Sequence, residues 1–229
     1  MNPQIFRFVI ATRENRTNFF ERTATGRSLS LYKSYPIELD LYDLNSEGLP
    51  TVYNRSIEKA KNNPAILIFA HDDLFLVDFF WAPQLLNALS QFDIVGVAGN
   101  KRRLPQQPSW FFVNDAFNAD HPSNFSGVVG HGTGFPPKNL STYGPPCQRV
   151  ALLDGLFLAC KSTTLDHHNV RFDERFDFHF YDLDFCRQAE QKGLSMGTWN
   201  ISLIHESGGN FNSPQWQSSK LKYFDKWSD

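Results

Sequence analysis

Short apolar runs alternate with polar stretches of helical spacing along the first hundred residues. Residues 5–11 (IFRFVIA) are dense in aromatic and β-branched side chains, as a buried strand requires, and residues 12–15 (TREN) form the loop leaving its carboxyl end. A helix to about residue 25 follows, and residues 36–42 (PIELDLY) alternate apolar with polar positions as a second strand. Residues 49–61 keep helical spacing until Asn62-Asn63-Pro64 ends it. Residues 65–70 (AILIFA) are wholly apolar, the pattern of a central strand covered on both faces. A helix over 79–89 and a strand over 93–98 (DIVGVA) complete this half. The alternation predicts an α/β fold with a doubly wound sheet. Ligands of such sheets bind beyond the carboxyl ends of the strands, so the residues just past Ala11, Tyr42, Ala70 and Ala98 are candidates before any motif is considered.

The pattern then lapses. Residues 99–148 are rich in Pro, Gly, Asn, Ser and aromatics and predict a long loop, whose aromatic content favours an ordered cover over a site. Regularity returns at residues 150–159 (VALLDGLFLA), a strand interrupted by Asp154-Gly155. A short helix over 162–168 comes next, then a helix over 182–192 that Gly193 ends, then strands over 194–199 and 201–204. Residues 214–227 have the spacing of an amphipathic helix laid on the body.

Composition narrows the classes. The chain has 229 residues and a formal net charge of −2, with charges of both signs dispersed. No basic face of the kind that phosphate backbones need is written into it, so nucleic acid is not the expected partner. Three cysteines without paired spacing argue against a disulfide framework or a zinc knuckle and for a reducing compartment. The first fifteen residues lack the apolar run of a signal peptide, and no stretch approaches the roughly 20 apolar residues that span a bilayer. The expectation is a cytoplasmic protein whose membrane contact is at most peripheral, through Tyr223, Phe224 and Trp227.

Four segments carry chemistry. His71-Asp72-Asp73 puts an imidazole and two carboxylates where a buried strand ends, and a divalent cation is a natural compensation for carboxylates there. The same aspartates serve equally as caps of the next helix. Asp182 opens a helix, where the macrodipole favours the ionised form and a carboxylate is placed to take a proton; Asp184 has the spacing to pair with Arg187. His205 ends a strand beside Gly208-Gly209, within reach of a metal, although a lone histidine is commonly a structural hydrogen-bonder. Asp154 lies within an apolar strand, where it needs a partner, either an acceptor or an arginine. His121, His131, His167, His168 and His179 have no ligand spacing and read as loop or surface residues.

In their order, these segments resemble the family 2-like glycosyltransferases of the GT-A fold, over nearly the whole chain. The resemblance rests on Ala11-Thr12-Arg13, Tyr42-Asp43-Leu44-Asn45, Tyr53-Asn54-Arg55 and Phe69-Ala70-His71-Asp72-Asp73, followed by FDERF, FYDLDFC and LIHESGG. It implies one domain over residues 1–229: a Rossmann-like, mixed but mostly parallel sheet flanked by helices. Residues 1–98 would be the nucleotide-sugar half, 99–148 the long loop and 149–229 the acceptor and catalytic half. It implies an inverting transfer from a nucleotide-diphosphate sugar, a UDP-sugar foremost, to a saccharide or lipid-linked acceptor of the kind used in polysaccharide biosynthesis. Asp73, His205 and His71 would hold manganese or magnesium, and Asp182 would be the base. Thr12, Asp43, Asn54 and Asp72 would bind the nucleotide sugar, and Asp154 and Trp199 the acceptor. Two positions depart from the family pattern: His71 stands where the first Asp of the metal motif is usual, and Tyr181 replaces the customary Glu beside the base.

Two other readings fit parts of the pattern. A metal-dependent phosphohydrolase would use His71-Asp72 with further histidines, and a carbohydrate-binding module without chemistry would use the aromatics. A nucleotidyltransferase lacks support, since no glycine-rich phosphate loop lies near the N-terminus.

Overall fold

The computed structural model describes residues 4–209 and 211–228. Its first half follows the apolar runs closely. Strand β1 (Phe6–Ala11) is succeeded by helices α1 (Arg16–Arg22) and α2 (Ala24–Leu29), strand β2 (Ile37–Tyr42), helix α3 (Leu49–Ala60) and strand β3 (Ile66–Ala70). The single expected helix after β1 is two, because Thr23 both ends α1 and caps α2, its hydroxyl accepting from the Gly26 N–H. Gly26 is obligatory at that corner, since a Cβ there would lie 2.0 Å from the Phe19 carbonyl oxygen.

Strand β4 (Leu74–Leu76), helix α4 (Trp81–Ala88) and strands β5 (Ile94–Gly96) and β6 (Ala98–Asn100) come next. Residues 93–98, expected as one strand, are therefore cut at Val97, and the two pieces belong to different sheets. The expected long loop is also revised. It contains β7 (Phe125–His131) and β8 (Asn139–Gly144), an antiparallel pair with a register shift at Gly127/Val128. The remaining elements are β9 (Leu152–Leu153), β10 (Phe157–Lys161), α5 (Ser162–His167), α6 (Tyr181–Gln191), β11 (Met196–Thr198), β12 (Leu203–His205) and α7 (Pro214–Trp227). Residues 150–159 are likewise two strands in two sheets, divided at Asp154-Gly155-Leu156.

One six-stranded sheet has the order β11-β5-β10-β3-β1-β2, with β10 alone antiparallel to its neighbours. This is the mixed, mostly parallel sheet expected of the chain. The second sheet runs β4-β12-β7-β6-β9, with β8 paired to β7, and is antiparallel except for β12 beside β7. Both pairs of split strands cross from one sheet to the other, and the crossing at Asp154-Gly155-Leu156 lines the cleft. The core is continuous through both sheets, with β3 buried at every residue. Helix α7 is fastened to α6 by Lys226, which pairs with the buried Asp184 at 2.6 Å, and by the Trp227 indole N–H donating to the same carboxylate at 2.9 Å. Tyr223 is buried and Phe224 and Trp227 are half-buried against the core, so the aromatic side of α7 faces the body. No described helix is long and apolar enough to cross one.

Candidate active site and metal centre

The chain turns polar at the point where β3 leaves the sheet, and the first residues out are His71, Asp72 and Asp73. This turn is stitched from two sides. The Thr25 hydroxyl donates toward the carbonyls of His71 (2.7 Å) and Leu74 (2.9 Å), and the Thr25 N–H donates to the Asp72 carbonyl at 3.0 Å. From the second sheet, β12 pairs with β4 so that His205 stands opposite Leu74, and the Glu206 N–H donates to the Asp73 carbonyl. Two strands from separate parts of the sequence thus deliver His205 to Asp73.

The side chains converge. His205 Nε2 lies 3.3 Å from Asp73 Oδ2, and His71 Nδ1 lies 3.9 Å from Asp73 Oδ1. One ligand atom from each of the three residues can be chosen so that all lie within 4.8 Å of one another. Asp73 Oδ1 is buried with no hydrogen-bond partner among the described residues. A buried carboxylate oxygen left bare beside two imidazoles fits a divalent cation, which would satisfy it. Burial alone would raise the Asp73 pKa, but the hydrogen bond and charge of His205, with Ser207 and His71, outweigh burial and hold it well below the usual carboxylate range. Asp72 goes the other way: burial raises it, partly offset by the Thr12 hydroxyl, which donates to Oδ2 at 2.6 Å.

Across the cleft, α6 begins without a side-chain cap. Phe180, immediately before it, has φ 68°, a left-handed conformation costly for a bulky residue (about 1–3 kcal/mol) and of the kind retained at functional sites. The strained residue turns the chain so that Tyr181 and Asp182 meet the crossing at Gly155. Asp182 Oδ2 accepts from the Gly155 N–H at 3.0 Å and Oδ1 from the Leu183 N–H at 2.9 Å. The Tyr181 hydroxyl donates to the Gly155 carbonyl at 2.9 Å and lies 3.0 Å from His71 Nε2. Gly155 is required by this close approach: a Cβ would meet the Tyr181 hydroxyl at 2.4 Å and Asp182 Cβ at 2.9 Å. Burial, and then the nearby Asp154 carboxylate, push Asp182 up to about 7. The expectation from the helix dipole alone was an ionised group; desolvation and a like charge prevail over it.

His71, Asp72, Asp73, Asp154, Asp182 and His205 all line one cleft of about 620 Å³. Trp110, Phe111, Phe112 and Tyr143 from residues 99–148, with Phe178, Phe180, Phe211 and Trp216, form its aromatic wall. Four candidates lie elsewhere. Thr12 is buried and reaches the site only by its bond to Asp72. Asp43 is exposed and caps the Arg16 N–H at 3.0 Å. The Asn54 side chain is occupied by Phe172 and Glu174: its amide donates to the Phe172 carbonyl and to Glu174, and its oxygen accepts from the Phe172 N–H. Trp199 is buried away from the cleft lining, its indole N–H donating to Gln84 at 3.0 Å. The resemblance implies all four as ligand-binding residues; they are not among the residues lining this cleft, and each makes a side-chain hydrogen bond within the protein. Conversely, His131 and His179, read as loop or surface residues, line the cleft. His131 ends β7 in register with His205, its ring centroid 6.4 Å away, and its Nε2 is 2.9 Å from the Ser141 hydroxyl. The pairing of β7 with β12, which brings His131 to the cleft, is not readable from sequence.

No curated protein matches the chain in sequence. In structure, it resembles the catalytic domain of Drosophila β1,4-galactosyltransferase 7 in complex with xylobiose, at a TM-score of 0.52 and 8% identity, over 95% of this chain and 79% of that one. A mutant of the Drosophila enzyme in complex with manganese, UDP-Gal and xylobiose gives a TM-score of 0.51 at 8% identity and the same coverage. These likenesses place the fold among the GT-A glycosyltransferases. The profile described as "Glycosyltransferase like family" matches residues 8–224. With that match spanning nearly all of both sheets and the cleft between them, the chain belongs to the glycosyltransferase-like family and is a glycosyltransferase.

Proposed function

We propose that the protein transfers a sugar, with inversion, from a nucleotide-diphosphate sugar to a saccharide hydroxyl, with manganese at His71, Asp73 and His205 and Asp182 as the base. The observation that carries this reading is the sharing of one cleft by a bare, charged Asp73 and a protonatable Asp182. Two imidazoles and one carboxylate suit manganese better than magnesium, which prefers all-oxygen ligands. When bound, the cation supplies charge neutralisation on the leaving diphosphate.

The chain's own residues account for the remaining tasks. The Gly155 and Leu183 N–H groups grip the two Asp182 oxygens and fix the carboxylate in place. Ionised Asp182 accepts the proton of the acceptor hydroxyl as that oxygen bonds to the anomeric carbon and the bond to the diphosphate oxygen breaks. Asp154, beside it in the cleft, is placed to hold a second acceptor hydroxyl. The aromatic wall offers faces for a sugar ring and excludes water that would otherwise compete as acceptor. The bound UDP-Gal and xylobiose of the Drosophila galactosyltransferase support a UDP-sugar donor and a saccharide acceptor.

A thermal-shift screen of nucleotide diphosphates and their sugars tests the donor and metal together. UDP and a UDP-sugar should stabilise the protein in manganese, less in magnesium, and not in chelator. Equal stabilisation with chelator present refutes the metal-assisted reading.

A further inference from the structure

The Tyr181 hydroxyl meets the Gly155 carbonyl, the His71 imidazole and the Tyr53 hydroxyl; Tyr53 brings a proton of its own, whereas the carbonyl and the imidazole place opposite demands on Tyr181. A carbonyl oxygen only accepts, and the buried Gly155 carbonyl is 2.9 Å away, so the single phenolic proton goes there. The Tyr181 oxygen is then an acceptor toward His71 Nε2 at 3.0 Å, and that nitrogen must carry the imidazole proton. A neutral imidazole has only one, which leaves Nδ1 as a bare lone pair. Nδ1 is the atom that faces Asp73 Oδ1 at 3.9 Å, beyond hydrogen-bond reach, and Oδ1 has no partner among the described residues. Two lone pairs therefore confront each other across a gap. The Phe178 ring, stacked on His71 at 5.7 Å and 27°, holds the imidazole plane in that attitude.

We propose that Tyr181 is a positioning residue that sets the tautomer of His71, so that Nδ1 is presented, unprotonated, to the cation site. The inference rests on the metal reading above and gives the Tyr181 departure a physical purpose. A glutamate at this position would accept from the histidine but would have no proton for the Gly155 carbonyl. The phenol does both, and the same Gly155 peptide holds Asp182 by its N–H. One peptide unit thereby ties the orientation of a metal ligand to the position of the base. Partners of this outer kind typically change metal affinity by 10- to 100-fold when removed.

The test uses the full chain. Long-range proton–nitrogen NMR on the metal-free protein should find His71 protonated at Nε2 and bare at Nδ1; the opposite tautomer overturns the proposal. This measurement needs no variant and stands even if Tyr181→Phe fails to fold. In calorimetric titration, Tyr181→Phe should bind manganese about 10- to 100-fold more weakly than wild type, and unchanged affinity overturns the proposal. In a His71→Asn background, where the amide oxygen takes the place of Nδ1 and has no tautomer to set, Tyr181→Phe should cause no further loss. An equal loss in that background makes Tyr181 a general prop of the fold and overturns the tautomer role. Absence of manganese binding by the wild type, with the Nε2 proton in place, is the distinct result that brings down the metal reading and the purpose assigned to the tautomer with it.

Discussion

Asp73 and Asp182 face the same cleft, yet their surroundings drive their protons in opposite directions. Asp73 is flanked by two imidazoles, and the His205 bond holds its pKa well below the carboxylate range despite burial. Asp182 is buried beside another carboxylate, Asp154, with only neutral backbone donors on its oxygens, and is pushed up to about 7. The difference teaches that role follows environment: one carboxylate is kept as a fixed charge, while the other is poised to take up and release a proton near neutrality.

The largest effect should come from a change that strikes both sides at once. Gly155→Ala places a methyl group 2.4 Å from the Tyr181 hydroxyl and 2.9 Å from Asp182 Cβ, so both must move. Turnover should be lost and manganese affinity reduced together, read from steady-state rates and a metal titration on the same preparation. Asp182→Asn should separate the two. Transfer should fall about 10²- to 10⁴-fold, the usual contribution of a general base, with manganese and donor binding close to wild type. If the variant loses donor binding as well, the contrast between the two carboxylates is broken. Asp73→Asn is the converse case. It removes the charge that His205 and His71 face, so manganese should no longer stabilise the protein in a thermal scan, and the metal-free protein should itself melt at a lower temperature for loss of the His205 pair.

Much of this cleft was legible because apolar runs end where polar chemistry begins. β1, β2, β3, α3, α6 and α7 follow from periodicity, and the doubly wound rule then points to His71-Asp72-Asp73 at the end of a strand buried on both faces. The two split strands were illegible for a physical reason. Val97 and Leu156 are as buried as their neighbours, and an apolar run records burial without saying which sheet supplies it. Residues 99–148 concealed β7 and β8 because glycines interrupt the first and no residue of the second is fully buried. Side-chain partners were the other blind spot. Asn54 matches the family pattern in sequence, but its amide is bound to Phe172 and Glu174, contacts 118 and 120 residues away that no local pattern encodes. His131 reaches the cleft only through the register that sets it beside His205.

The subtlest test of the contrast lies in Asp154. As a base, Asp182 must be ionised before the acceptor proton can be taken, so kcat/KM should rise with pH along an acidic limb centred near 7. Removing a neighbouring negative charge lowers the pKa of the carboxylate it had repelled, because the ionised form then costs less. Asp154→Asn should accordingly move the limb to lower pH, and activity below neutrality should suffer less than activity at pH 8. Burial is the larger cause of the raised Asp182 value, so the limb should remain above the ordinary aspartate range in the variant. A pH profile of kcat/KM for both proteins decides the matter. An unshifted limb with a raised acceptor KM would confine Asp154 to holding the acceptor, whereas a shifted limb identifies it as the charge that tunes the base.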